Sequence, residues 1–178
     1  ITKNLTLSGG WDELFTSQIG HTIIDGQNMR AGIYNPPGIT SSISRFDISN
    51  GNSVQHNGDG INNYGTITIS DSFIHHNNDI GIYSQNGTIT INNSSIHSNT
   101  NIGIRFTSTL NLNNSTVSNN SGRGISNTLS GTANINNSTI TMNGATGIYS
   151  SVATINLKNS IIANNKGGSD FHPPFPQQ

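Results

Sequence analysis

The sequence predicts an all-β chain wound as a single solenoid of about seven to eight coils, with about 22 residues per coil and three short parallel sheets. Three observations predict it. Five segments repeat, beginning at Thr66, Thr88, Thr109, Thr132 and Thr154, with spacings of 22, 21, 23 and 22 residues. Inside each segment apolar residues alternate with polar ones at period two, which is the period of a strand, not of a helix. The alternating residues also agree from one repeat to the next, so that like residues stack when the repeats do.

Taken in chain order, Leu5–Gly10 (LTLSGG) reads as an isolated first strand, followed by a longer insert around Trp11, Leu14 and Phe15. Two degenerate units follow. One holds HTIIDG at His21–Gly26 and AGIYN at Ala31–Asn35; the other runs from Ile39 to Gly58–Asn62. The regular units then supply three strands each. In the Thr88 unit, Ile89 and Ile91 alternate with Thr88 and Thr90, and Ile96 lies between Ser95 and His97. Ile is a poor residue for an isolated helix and a good one for a strand, because its branched β-carbon restricts χ1. A 22-residue unit cannot bury these side chains alone, but a coil stacked on its neighbours at roughly 4.8 Å can. The inward columns would be Ile67, Ile89, Leu110, Ala133, Ile155; Ile69, Ile91, Leu112, Ile135, Leu157; Ile74, Ile96, Val117, Ile140, Ile162; and Ile82, Ile104, Ile125, Ile148.

The breaks between strands carry turn chemistry. Asp71, Asn93, Asn114, Asn137 and Asn159 form one column, flanked by Ser72, Ser94, Ser115, Ser138 and Ser160; Asn77, Asn99, Asn120, Asn143 and Asn165 form another. Asn tolerates left-handed backbone geometry, and its amide can bond to the next Asn in a ladder. The solenoid is expected over residues 1–168, regular from 66, with residues 169–178 as a Pro-rich tail that caps or links.

Composition limits the function classes. Charged residues are 8% of the chain against about 25% in an ordinary domain. Asn, Ser and Thr together make up about 40% of it. A formal net charge of −1 argues against a nucleic-acid partner. No run of 18 apolar residues argues for membrane insertion of this segment. With no Cys, disulfides, thiolate nucleophiles and Cys-ligated metals are excluded.

The units TITINNSSIHSNTNIGI and TINLKNSIIANN resemble the parallel β-helix repeats of the pectin-lyase-like superfamily. More narrowly, LTLSGGW, TIIDGQN and LKNSIIANN resemble bacterial surface proteins of the "choice-of-anchor" kind. The resemblance covers the chain to about Gly168. It implies a right-handed coil and an extracellular or cell-surface location in a bacterium. For function it implies less, because this fold hosts lyases, hydrolases, adhesins and structural rods alike.

Four groups of residues are candidates for function. Asp59, Asp71 and Asp79 are the acids at neighbouring-turn spacing, and would be the catalytic set of a polysaccharide lyase or hydrolase, or a degenerate calcium site. Asp71 also fits a simple turn residue replacing Asn. His75 and His97 share a column one turn apart, with His76 beside them; nothing in the later turns completes a metal-ligand set. The outward face of the first strand reads Thr66, Thr88, Thr109, Thr132, Thr154, then Thr68, Thr90, Asn111, Asn134, Asn156, a flat and nearly uncharged array. It suits a lateral packing surface, a glycan platform or an ice-binding array, although ice binding would want Thr-x-Thr on more turns. Tyr83 and Tyr149, with Tyr34 and Arg105 in the same column, suit sugar or protein contact if exposed.

The reading favoured by these residues is a non-catalytic extracellular scaffold: structural, adhesive or filament-forming, self-associating end to end or side by side, or contacting cell-surface glycans. No cofactor is required by it. A carbohydrate-active enzyme or a glycan-binding relative, with calcium as its one plausible cofactor, is the alternative; ice binding is third.

Overall fold

A computed structural model describes residues 1–53 and 58–172. Among these there is no helix, and twenty-one strands fall into three sheets of seven, every neighbouring pair parallel. The chain visits the sheets in rotation. The first turn uses Leu5–Ser8, Thr22–Asp25 and Ile33–Asn35; the fourth uses Thr88–Asn92, Ser95–His97 and Ile104–Phe106; the seventh uses Thr154–Lys158, Ile161–Ala163 and Phe171–His172. Each strand therefore pairs with the strands one turn before and one turn after it, which makes a parallel β-solenoid of seven turns.

The register is the one the repeat spacing predicts. Thr88 lies between Thr66 and Thr109, and Ile91 between Ile69 and Leu112. The inward Ile columns close over one another: Ile67, Ile69, Ile74, Ile82 and their equivalents through Ile148 have no solvent exposure. Two departures refine the sequence reading. Leu5–Ser8 is not isolated but pairs with Ser41–Ser44 as the first-sheet strand of turn one. Phe171 and His172, grouped in the sequence with the tail, pair with Ile148 and Tyr149 and carry the third sheet to the seventh turn. Residues 173–178, the rest of that tail, lie outside the described residues.

The corners are built by the Asn columns. Asp71, Asn93, Asn114, Asn137 and Asn159 have φ between 48° and 50°, the left-handed conformation that lets strands meet at a one-residue bend. The Ser beside each donates to the carbonyl two residues back, and from Ser94 onward accepts from the backbone N–H of the Ser one turn earlier, as Ser94 does with Asn92 and Ser72; Ser72 accepts from the Phe46 N–H. At the second corner the Asn side chains are buried from Asn77 to Asn143, and Asn165 is half-buried. Asn77 Nδ2 donates to Asn99 Oδ1, Asn99 to Asn120, Asn120 to Asn143 and Asn143 to Asn165, at 2.8–3.0 Å. The last amide, Asn165, donates to the Asp170 carboxylate at 2.9 Å, so a negative charge terminates the ladder at its N–H end. Those bonds hold the Asp170 carboxyl below its usual range. Gly at 81, 103 and 124 flanks this ladder because a Cβ there would meet the neighbouring Asn amide at 2.6–2.8 Å.

Candidate functional site

The outward side of the first sheet is the most regular surface of the molecule. Thr66, Thr88, Thr109, Thr132 and Thr154 form its first column, and Thr68, Thr90, Asn111, Asn134 and Asn156 its second. Ser70, Asn92, Asn113, Asn136 and Lys158 form its third, so one side-chain charge lies on fifteen positions. These side chains bond to one another along the axis. Asn156 donates to Asn134 and Asn134 to Asn111, both at 2.9 Å, and Asn111 to Thr90 at 3.3 Å. Beside them Asn136 donates to Asn113, Asn113 to Asn92 and Asn92 to Ser70. Repeating side chains in register makes such ladders, and the sequence predicted the columns without predicting their bonding. A ladder amide uses one N–H and one oxygen lone pair on its neighbours; the second of each remains available to a ligand. The face is thus a fixed grid of alternating donors and acceptors spaced about 4.8 Å along the axis. Its N-terminal end opens into a hollow of about 400 Å³ beside Thr6, Ser42 and Thr68. At its edge a second hollow of about 240 Å³ is bordered by Tyr64, Thr66, Asn86 and Thr88.

The three acids do not come together as one set. Asp71 lies at the first corner, where its carboxylate accepts from Asn93 Nδ2 at 3.3 Å, so it is a member of that corner's ladder. Asp59 and Asp79 lie near the third sheet. Asp59 is 3% exposed and accepts from the Ser53 backbone N–H at 2.8 Å; Asp79 accepts from Asn101 Nδ2 at 2.7 Å. Burial, with a smaller push from the Asp79 charge, holds the Asp59 carboxyl above its usual range against the lowering effect of the Ser53 bond. The pair therefore has one carboxyl that keeps its proton to higher pH, but Asp71 does not share it. The sequence distances of 12 and 8 residues obscured this, because a third of a turn separates one corner from the next.

His75 and His97 stack as their spacing predicts, with ring centroids 5.0 Å apart and planes 14° apart. His76 approaches edge-on, its Nδ1 2.7 Å from His75 Nδ1. Asp47, which the column reading did not include, reaches His75 Nε2 at 2.7 Å, a close contact rather than an aligned hydrogen bond. Burial and the two neighbouring imidazoles lower the His97 pKa, and Asp47 opposes them. Among the described residues no three His, Asp or Glu side chains converge as a metal-ligand set.

The tyrosine column is not the open strip the sequence suggested. Tyr83 is only 7% exposed, packed edge-on to Tyr64, with its hydroxyl donating to Gln85 and the Arg105 guanidinium 5.8 Å from its ring centre. The Arg123 guanidinium lies 3.6 Å over the Tyr149 ring, and His172 tilts against the same ring at 5.0 Å. Long neighbouring side chains thus bury Tyr83 and partly cover Tyr149, whereas Tyr34 in the same column stays 38% exposed.

Comparison with known proteins places these features in a family. The family model described as "Right handed beta helix region" matches residues 37–171, more than half of the chain. No curated protein and no solved structure matches it.

Proposed function

The chain belongs to the right-handed β-helix family, and from that premise we propose that it is a non-catalytic scaffold at a bacterial cell surface, with the first-sheet face as its contact surface for glycan. The observation that carries this reading is the double amide ladder on that face. Amides tied to one another need no ordering on contact, so a ligand meets donors and acceptors already in place, and preorganisation lowers the cost of binding. A neutral polysaccharide offers hydroxyls of both kinds in a repeating line. The near absence of charge suits such a ligand better than a polyanion. The resemblance to repeat-bearing surface proteins supports the location.

The reading is tested by incubating the chain with immobilised neutral and uronic polysaccharides, with and without calcium, and measuring retention and product release together. We expect retention without cleavage, reduced when Asn111→Lys and Asn134→Lys are introduced. Release of sugar products that is abolished by Asp59→Asn or Asp79→Asn would replace the scaffold by the enzyme alternative.

A further inference from the structure

The outward side of the second sheet carries a cluster that neither the core nor the first-sheet face uses: His75, His76, His97 and Asp47. Neighbours in an extended strand point to opposite faces, yet the rings of His75 and His76 meet. The second corner is the cause. His76 occupies its bend with φ 52°, the place held by Asn50, Ser98, Asn119 and Asn164 in other turns. The left-handed backbone there turns its side chain back toward that of His75. Two ring nitrogens then face each other, His75 Nδ1 and His76 Nδ1, 2.7 Å apart. Two lone pairs at that distance repel, so the gap holds either a shared proton or a metal ion. On the far side of the same ring, His75 Nε2 lies 2.7 Å from Asp47 Oδ1. That oxygen is buried and has no hydrogen-bond partner among the described residues. A carboxylate so placed favours the tautomer with its N–H on Nε2, which leaves the Nδ1 lone pair turned to His76. A carboxylate behind a metal-binding imidazole fixes the ring's orientation and raises its basicity as a ligand. The His97 ring stacks on His75 at 5.0 Å and stands edge-on to His76, walling one side of the pair.

We propose that His75 Nδ1 and His76 Nδ1 form a two-ligand site for a transition-metal dication, with Asp47 as its positioning residue and solvent completing the coordination. Imidazole suits Cu²⁺, Ni²⁺ and Zn²⁺, and Cu²⁺ binds such ligands most tightly. Metal–nitrogen bonds of about 2.0–2.1 Å place two nitrogens roughly 3 Å apart. The rings therefore need to part by only a few tenths of an ångström, and His76 is exposed and His75 half-buried, so both have room to do so. Loading exchanges the shared proton for the metal, and the proton leaves to solvent. The chain supplies two ligands; among the described residues no third His, Asp or Glu converges on them. The site lies on a different sheet from the amide grid and does not depend on the glycan reading.

Calorimetric titration of Cu²⁺, Ni²⁺ and Zn²⁺ into the 178-residue chain, with electron spin resonance of the Cu²⁺ complex, tests this. The variants His75→Ser and His76→Asn each put in a residue that neighbouring turns already carry, Ser49 and Ser118 in one column, Asn50 and Asn119 in the other. The fold should therefore survive, as circular dichroism checks. We expect a single tight Cu²⁺ per chain, two imidazole nitrogens in its hyperfine pattern, and weaker binding of Ni²⁺ and Zn²⁺. Either variant should abolish that signature. Asp47→Asn should keep both nitrogens but weaken binding about 10–100-fold, and His97→Gln should change neither. A wild-type spectrum without two imidazole nitrogens overturns the proposal whatever the variants do. So does Cu²⁺ binding that survives unchanged in His75→Ser or in His76→Asn, or a wild type that binds no more tightly than the double variant. An Asp47→Asn chain with wild-type affinity removes the carboxylate from the site.

Discussion

Replacing Asn120 by Ala should be among the most damaging single changes to this chain. Asn120 is 1% exposed in the middle of the buried ladder. Its Oδ1 accepts from the Asn99 backbone N–H at 3.2 Å and from Asn99 Nδ2 at 2.9 Å, and its Nδ2 donates to Asn143 Oδ1 at 3.0 Å and to Ile96 O at 3.2 Å. Ala removes all four bonds. Each is worth about 0.5–1.5 kcal/mol net, and the buried Asn99 N–H left without a partner costs about 1–3 kcal/mol. Because several orphaned groups keep a second partner, such as Asn99 Nδ2 with Ile74 O, the expected loss is about 3–5 kcal/mol rather than the full sum. For a chain of this length that lowers the melting temperature by about 10 °C. The control is Asn134→Ala on the outer ladder, where water replaces the lost bonds and the cost should be about 0–1 kcal/mol. Urea and thermal denaturation followed by circular dichroism measure both. If Asn120→Ala costs no more than Asn134→Ala, the inner ladder is not what holds the second corner.

Gly103→Ala should destabilise by about 1–3 kcal/mol, since a Cβ there lies 2.7 Å from both Asn120 Nδ2 and Gly124 O and the backbone carbonyl cannot move aside; melting temperature reports it. His97 should make the fold less stable as pH falls below its usual 6.5, because its lowered folded pKa means the unfolded chain takes up that proton first. The loss levels off below the folded value, and His97→Gln should flatten stability between pH 7 and 5 in urea titrations. Asp59 acts in the opposite sense: its raised folded pKa means the native state loses stability as pH rises through it. Asp59→Asn, which keeps an oxygen for the Ser53 N–H, should therefore be at least as stable as wild type at pH 7, with the difference vanishing below the usual carboxylate range.

The solenoid was legible in the sequence because stacking repeats one environment at one spacing, and Ile89, Ile91 and Ile96 meet the same demand in every turn. The buried corner was legible for the same reason: Asn77 and its four successors repeat. What was not legible lies where the repeat fails or where side chains are long. The insert between Leu5–Ser8 and Thr22–Asp25 hid the first turn, and the prolines directly after Phe171 and His172, at 173 and 174, hid the last strand. The covering of Tyr83 depends on Tyr64, a residue outside its column. The contact of Asp47 with His75 crosses between columns, which strand alternation alone does not reveal. The acids at 59, 71 and 79 were grouped by number, although the winding puts Asp71 on another corner from the other two.

The most direct test of the in-register winding is an electron–electron distance between spin labels on Cys introduced at Thr40 and Thr154. These lie in one column, five steps apart, so their backbones should be separated by roughly 24 Å. A single narrow distribution near that value, allowing for label length, is the expected result; a broad one, or one centred well beyond 40 Å, would contradict the stacking on which the ladders and the contact face both depend.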